Sequence, residues 1–289
     1  APPLTLKLPP KAIGPMALRQ AAARGDMRAQ FEVGAIYAEG RAIPRDLAAA
    51  ARWYERAASQ GFAPAAYRIG NMYENGVGVA KNLEQARLWY KLGAEQGNRM
   101  AMHNLASLLA SGALGKQRFG EAALWFEKAA RLGLRDSQFN LGMLYARGLG
   151  VDQDMQTSFK WFSIAASQGD QGAQKAASDI ARSLDPAIVT RLKAELTNWA
   201  PVNMNITANF APIGTWMDNF DPGPAIQKPE VILQVQAALN RLGFDAGKPD
   251  GLIGPKTQKA IAAFEQALGM SQSGAVNPRL LAVLGSQPV

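Results

Sequence analysis

The 289-residue sequence predicts an all-α protein: an array of stacked helix pairs, an extended linker and a small domain of three helices. The main observation is a period of 36 residues. An aromatic pair recurs with this period, beginning at Trp53, Trp89, Trp125 and Trp161, and a glycine follows each copy at Gly61, Gly97, Gly133 and Gly169. Such a period is typical of a solenoid, because a single helix pair cannot cover its own apolar face and buries it against the next pair.

The sequence predicts two helices in each repeat. The core face of the first helix falls at positions i, i+1 and i+4, and the residue at i+1 is small. These triplets are Val33/Gly34/Tyr37, Ile69/Gly70/Tyr73, Leu105/Ala106/Leu109 and Leu141/Gly142/Tyr145. The second helix starts after a good N-cap at Asp46, Asn82 and Asp154, whereas Arg118 predicts a less sharp start in the third repeat. We predict that the aromatic pairs, and the tryptophans above all, make the contact between neighbouring helix pairs.

The predicted segments are a Pro-rich tail (1–12), a solenoid with capping helices at both ends (13–199), an extended linker (200–228) and a C-terminal domain (229–289). Apolar and polar residues alternate over residues 202–210, which indicates an extended segment with one buried face. We expect this linker to dock on the end of the solenoid through Phe210 and Trp216. An edge strand that waits for a partner is the alternative.

The repeated pattern LGxxYxxGxGVxxD, followed by WYxxAAxxG, resembles the Sel1-like repeats (SLR), which are relatives of the tetratricopeptide repeats. The resemblance rests on many positions that recur in four copies. It implies a right-handed solenoid that binds proteins or peptides and has no catalytic activity.

A polar stripe lies beside the core face of the first helices, at the spacing i, i+3, i+7. We predict that this stripe lines a groove for a protein partner; an ordinary solvated face is the alternative. The predicted groove residues are Glu32, Glu39, Arg68, Asn71, Asn75, Asn104, Asn140 and Arg147. The single histidine, His103, occupies the position of Phe31, Tyr67 and Phe139 in the other repeats, which predicts a packed aromatic substitute rather than a catalytic base.

The C-terminal segment predicts three short helices, and its string DGLIGPKTQKAIAAFE resembles the signature of a peptidoglycan-binding domain often appended to cell-wall hydrolases. The resemblance implies a surface that holds a glycan or a stem peptide. The residues carried over are Arg241, Phe244, Asp250, Gly251, Gly254 and Thr257. Glu265 stands where the family has a glutamine, so the role of that position is open.

Composition excludes several kinds of chemistry. The sequence has no cysteine and one histidine, which argues against a cysteine transpeptidase or a zinc amidase, and no catalytic residue, metal or cofactor is predicted. The repeat glutamates Glu55, Glu84 and Glu127 are predicted to be exposed helix charges. The net charge of +8 is scattered rather than clustered, so no nucleic-acid partner is expected.

The order of SLR array, linker and wall-binding domain resembles the periplasmic part of the PodJ-type polar localisation factors of alphaproteobacteria. This resemblance implies a scaffold in the periplasm of a Gram-negative bacterium, located at a cell pole, with envelope or polar signalling proteins as partners. Since the sequence starts with Ala1-Pro2-Pro3, we expect an excised or processed chain with a membrane anchor upstream. The alternatives are a periplasmic or secreted SLR adaptor that tethers or regulates a wall hydrolase and, less favoured, a peptidoglycan-cleaving enzyme.

Overall fold

The computed structural model describes residues 7–40, 43–217 and 220–285, and these residues are helical or irregular with no strand. Residues 1–6 of the predicted tail, 218–219 of the linker and 286–289 of the C-terminal domain lie outside the described residues. After a short 3-10 turn at Lys11–Ile13, the helices are α1 Met16–Arg24, α2 Met27–Glu39, α3 Leu47–Ser59, α4 Ala63–Asn75, α5 Leu83–Glu95, α6 Arg99–Ser111, α7 Phe119–Arg131, α8 Arg135–Arg147, α9 Met155–Ser167, α10 Gln171–Ala181, α11 Pro186–Leu196, α12 Ile206–Asn209, α13 Pro229–Arg241, α14 Pro255–Ala267 and α15 Pro278–Leu284.

The chain forms two compact units, and the boundary between them falls inside α6. One unit combines Ala1–Ala101 with Met204–Val289, and the other is Met102–Asn203. The first unit therefore holds the first two repeats, most of the linker and the C-terminal domain. The predicted boundaries at residues 12, 199 and 228 follow sequence segments rather than packing, and they stay predictions.

Local signals place the helix ends where the sequence predicts them. The side chains of Asp46, Asn82 and Asp154 accept backbone N–H groups at the starts of α3, α5 and α9. Arg118 makes no such bond at the start of α7, as predicted. The left-handed glycine that ends α4, Gly76, has φ 70°.

The two rings of each aromatic pair are buried to different depths. The residue after each tryptophan is the deeply buried one, with exposed fractions of 5% for Tyr54, 0% for Tyr90, 3% for Phe126 and 1% for Phe162. Trp53 is also buried, but the indoles of the other three repeats are only half-buried. The prediction concerned contact between neighbouring helix pairs, and the cores agree with it for two tryptophans. Trp53 lies in the core that contains Leu18 of α1, and Trp89 packs against the core that contains Tyr54 of the preceding repeat. For Trp125 and Trp161 the contact stays a prediction. Adjacent residues on a helix point about 100° apart, so only one of the two rings can face the partner helix.

A small residue on the first helix makes room for each buried ring. A Cβ atom added at Gly70 would lie 2.6 Å from the ring of Tyr90, and one added at Gly34 would lie 2.9 Å from the ring of Tyr54. The Tyr90 hydroxyl also donates a hydrogen bond of 2.5 Å to Glu74. The glycine thus serves close packing inside a repeat.

We expect Gly70→Ala to destabilise the protein although alanine is the better helix former. Overpacking a core costs about 1–3 kcal/mol, whereas the gain in helix propensity is about 1 kcal/mol. The matched control is Gly120→Ala, where the nearest atom lies 3.6 Å from the added Cβ and no loss is expected. Urea unfolding of both variants measures the difference, and equal effects would contradict the packing explanation.

The linker is not extended throughout. Residues 206–209 form helix α12, whose first turn is capped by the side chain of Asn205. The predicted extended conformation is therefore wrong there. The Asn205 side chain accepts the N–H of Ala208, and residues 206–209 contain no proline, so a single helical turn can form. The C-terminal domain has the predicted three helices, and its core includes Leu239, Phe264 and Leu280, all fully buried.

Candidate binding surfaces

The turn of the C-terminal domain is organised by one buried glutamine. Gln236 is 1% exposed. Its amide nitrogen lies 3.0 Å from Asp250 Oδ1, 3.0 Å from Thr257 Oγ1 and 2.9 Å from the Leu252 carbonyl oxygen. Its carbonyl oxygen accepts the N–H groups of Asp250 and Gly251, each at 3.0 Å. Sequence reasoning missed Gln236, although a glutamine on the apolar face of an amphipathic helix was the available signal.

The predicted peptidoglycan-binding residues divide into buried and accessible ones. Thr257 and Gly251 are buried, and the Thr257 hydroxyl donates to the Ala246 carbonyl oxygen at 3.1 Å. The carboxylate of Asp250 is exposed, and hydrogen bonds from the Gln236 side chain and the Leu252 backbone lower its pKa. Gly254 is half-buried at the N-terminus of α14.

The remaining two predicted residues are half-buried at the C-terminal end of α13 and just after it. The Phe244 ring meets Phe264 edge-on at 5.6 Å, and Arg241 is half-buried, with its pKa lowered by burial. Leu252, which sequence reasoning also missed, is 66% exposed beside the accessible residues. Ligand contact by the six predicted residues stays a prediction. The exposed part of the turn includes Lys248, Pro249, Asp250 and Leu252.

Glu265, whose role was open, belongs to a buried ion pair. It is 0% exposed and Arg279 is 3% exposed. One carboxylate oxygen accepts hydrogen bonds from Arg279 Nη2 and the Ser273 hydroxyl, each at 2.7 Å, while the other accepts the N–H groups of Ser273 and Gly274. Glu265 therefore holds the loop that precedes α15 and is shielded from solvent.

Part of the predicted groove in the first unit lies beside the linker and α15, although Glu39 and Arg68 stay exposed. Glu32 and Glu39 on α2 and Arg68 on α4 line a cavity of about 270 Å³. Its other walls include linker residues 209 and 211–213 and the residues Ala282 and Val283 of α15. The first repeats thus face the chain's own C-terminal part here, while Asn71 and Asn75 are exposed.

In the second unit, Asn104 and Asn140 are half-buried and Arg147 is exposed. Their role as groove residues stays a prediction. Each belongs to the first helix of its repeat, α6 for Asn104 and α8 for the other two.

His103 is a packed aromatic residue, as predicted. Its ring meets Phe126 edge-on at 5.5 Å, as the ring of Phe139 meets Phe162 at 5.3 Å in the next repeat. His103 Nδ1 lies 2.8 Å from the Ser137 hydroxyl. Burial lowers the pKa of His103, and the charge of Asp136 opposes this effect only in part.

We expect His103 to make stability depend on pH. In the unfolded chain His103 takes up its proton near pH 6.5, whereas its pKa in the folded protein is lower. The stability that depends on neutral His103 is therefore complete above pH 6.5 and is lost as the pH falls through the folded pKa. In His103→Phe the decrease in melting temperature between pH 7.5 and pH 5 should become smaller. Phe139→His, in the same position of the next repeat, should make it larger. An unchanged pH profile in both variants would exclude this explanation.

The repeat glutamates have partners on the solenoid surface. Glu55 accepts a 2.6 Å hydrogen bond from the Tyr73 hydroxyl, and this bond raises the pKa of Tyr73 to about 12. Glu84 pairs with Arg87 at 2.8 Å and Glu127 pairs with Arg131 at 2.6 Å. Ion pairs of this exposed kind contribute little to stability.

Among the described residues, none of the helices is both long and apolar enough to span a membrane. Within the same residues, no group of three or more histidine, aspartate and glutamate side chains is placed to hold a metal ion.

Comparison with known families assigns the class of these elements. The Sel1 repeat profile matches residues 28–62, 63–98, 99–134 and 135–170. The profile described as "Putative peptidoglycan binding domain" matches residues 228–284. The chain therefore carries four Sel1 repeats and a C-terminal domain of the peptidoglycan-binding type, a combination that supports a scaffold or binding role.

Solved structures agree with this class. The chain is similar to the crystal structure of a Sel1 repeat protein from Oxalobacter formigenes, with 29% identity and a TM-score of 0.52 over 64% of this chain and 74% of that one. It is also similar to c5321, a protective antigen present in uropathogenic Escherichia coli strains displaying an SLR fold, with 23% identity and a TM-score of 0.54 over 89% of this chain and 52% of that one. The predicted all-α SLR fold is confirmed. No curated protein matched the chain.

Proposed function

We propose that this protein is a non-enzymatic scaffold of the bacterial envelope, which binds proteins through its repeats and peptidoglycan through its C-terminal domain. The observation that carries the proposal is that one chain joins four Sel1 repeats to a domain of the peptidoglycan-binding type. The contacts of the repeat glutamates support a structural use of these carboxylates. Detectable turnover in a muramidase assay would argue for an enzyme instead.

We place the protein in the periplasm of a Gram-negative bacterium, at a cell pole, as a partner of envelope or polar signalling proteins. The domain order and its resemblance to PodJ-type factors support this assignment, because a peptidoglycan-binding domain meets its ligand outside the cytoplasmic membrane. A fluorescent fusion in such a cell should form a polar focus. A uniform envelope signal would instead favour an adaptor that tethers or regulates a wall hydrolase.

Co-sedimentation with purified sacculi tests the wall-binding half. We expect the chain to enter the pellet, and Leu252→Asn to lower the bound fraction several-fold, because Leu252 is a 66% exposed apolar side chain in the turn that carries Asp250. The matched control is Leu233→Asn, which changes a 44% exposed leucine elsewhere in the same domain and should bind normally. If the chain shows no enrichment over an inert protein of similar charge, the wall-binding proposal fails.

A further inference from the structure

We propose that the face of the first two repeats formed by α2 and α4 is a peptide-binding face, and that the chain's own linker occupies it. A partner at this face would bind through an uncharged segment like the linker, and would displace the linker and release the C-terminal domain. The inference deepens the proposed function by assigning a partner type and a regulation to the repeats.

Asn209 is the specific contact between linker and repeats. It is 1% exposed. Its Oδ1 atom accepts the N–H of Arg99 at 2.9 Å, and its Nδ2 atom donates to the Gly97 carbonyl oxygen at 3.0 Å. In the reverse direction, the side-chain amide of Asn98 donates a hydrogen bond to the Ala208 carbonyl oxygen at 2.8 Å. The linker thereby satisfies backbone groups at the start of α6, where a helix leaves its first N–H groups without partners.

This contact depends on the particular sequence of one repeat. Asn98 occupies the position that Phe62 and Leu134 hold in the neighbouring repeats. Those two side chains cap no helix, since neither α4 nor α8 has a side-chain bond at its start. Asn98 instead caps α6, since its Oδ1 atom accepts the Ala101 N–H at 2.8 Å, and its amide group donates to the linker.

Successive linker residues alternate between the two partners. Next to Asn209, Phe210 lies in the core of the C-terminal domain, where its ring meets Phe264 edge-on at 5.4 Å. Ala211 packs against the repeats and is buried in the core of the first two repeats. Trp216 packs further along, against the core that contains Leu18. Because adjacent residues bind opposite partners, displacement of the linker from the repeats must disturb its hold on the domain.

The composition of the linker indicates which kind of segment this face binds. Residues 200–217 contain no charged side chain. Pro212 and Ile213 lie over the cavity of about 270 Å³ between α2 and α4, whose aromatic lining includes Tyr54 and Tyr67. The linker residues that meet this surface are Asn209, Ala211, Pro212 and Ile213, so an uncharged segment with an amide side chain followed by apolar residues matches the occupant.

A labelled synthetic peptide of residues 203–216 serves as the probe. The native chain should bind it weakly, because its own linker competes. Asn209→Ala removes the two hydrogen bonds between the docked linker and the repeats and one to the Asn205 carbonyl oxygen within the linker. It leaves the apolar contacts, so the apparent affinity for the peptide should rise roughly tenfold as the open population grows. The matched control is Asn203→Ala, an exposed asparagine in the same linker, which should behave like the native chain. Peptide in which the equivalent of Asn209 is alanine should lose binding.

A reversible crosslink supplies the opposite test. A Cβ atom at Gly97 would lie 3.8 Å from Cβ of Ala208, which matches the Cβ separation of disulfides, and the sequence has no other cysteine. The oxidised Gly97→Cys/Ala208→Cys chain should not bind the peptide, and its reduced form, which carries the same backbone strain, should regain binding. Equal binding by the native, Asn209→Ala and oxidised chains would overturn the proposal, as would absence of binding by Asn209→Ala. The assay uses no sacculi, so a failure of wall binding is measured separately.

Discussion

Glu265→Ala is expected to lower the free energy of unfolding by about 3–5 kcal/mol, the cost of removing one partner from a buried ion pair. The substitution leaves the Arg279 guanidinium, which is 3% exposed, without its carboxylate. It also removes the acceptor for the N–H groups of Ser273 and Gly274. Urea unfolding followed by circular dichroism measures the loss, and hydrogen exchange should locate it in α14, α15 and the loop between them.

Two further variants distinguish an uncompensated charge from simple loss of packing. Replacing both partners, as in Glu265→Leu/Arg279→Met, should recover much of the stability, because apolar residues of similar volume need no partner. Lys256→Met breaks the ion pair with Asp245, whose side chains are 71% and 73% exposed, and should change stability little. The explanation is wrong if the double variant is no more stable than Glu265→Ala.

Phe210→Ala is expected to cost about 3–5 kcal/mol, as for other fully buried phenylalanines. Phe210 is 1% exposed although it comes from the linker, and it completes the core of the C-terminal domain. Since Asn209 beside it binds the start of α6, the damage should not stay within that domain. Hydrogen exchange should increase in α14 and also at the N-terminus of α6.

Val202→Ala is the matched control, because Val202 is a linker residue that is 53% exposed. This variant should keep native stability and native exchange rates. If Phe210→Ala accelerated exchange in the C-terminal domain alone, the linker would hold the two elements independently. That outcome would remove the mechanical basis of the proposed release of the domain.

Much of the fold could be predicted because its signals are local. The caps at Asp46, Asn82 and Asp154 act within three residues, and a glycine with positive φ follows each helix of the four repeats. The position of His103 in the aromatic series also predicted its environment correctly. The candidate sites could be predicted only in part. The wall-binding signature marked the turn of the C-terminal domain, but neither Gln236 as its organiser nor Leu252 as its exposed apolar residue.

The sequence by itself determined which segments become helices, how they repeat and which class of domain follows them, since helix periods and caps depend on neighbours within a few residues. Only the tertiary structure decided which ring of each aromatic pair is buried, that Glu265 pairs with Arg279, and that the linker lies on the first two repeats. The bond from Asn98 to Ala208 joins residues 110 positions apart. Such a contact depends on which distant segments pack together in the fold, and local sequence patterns do not specify this packing.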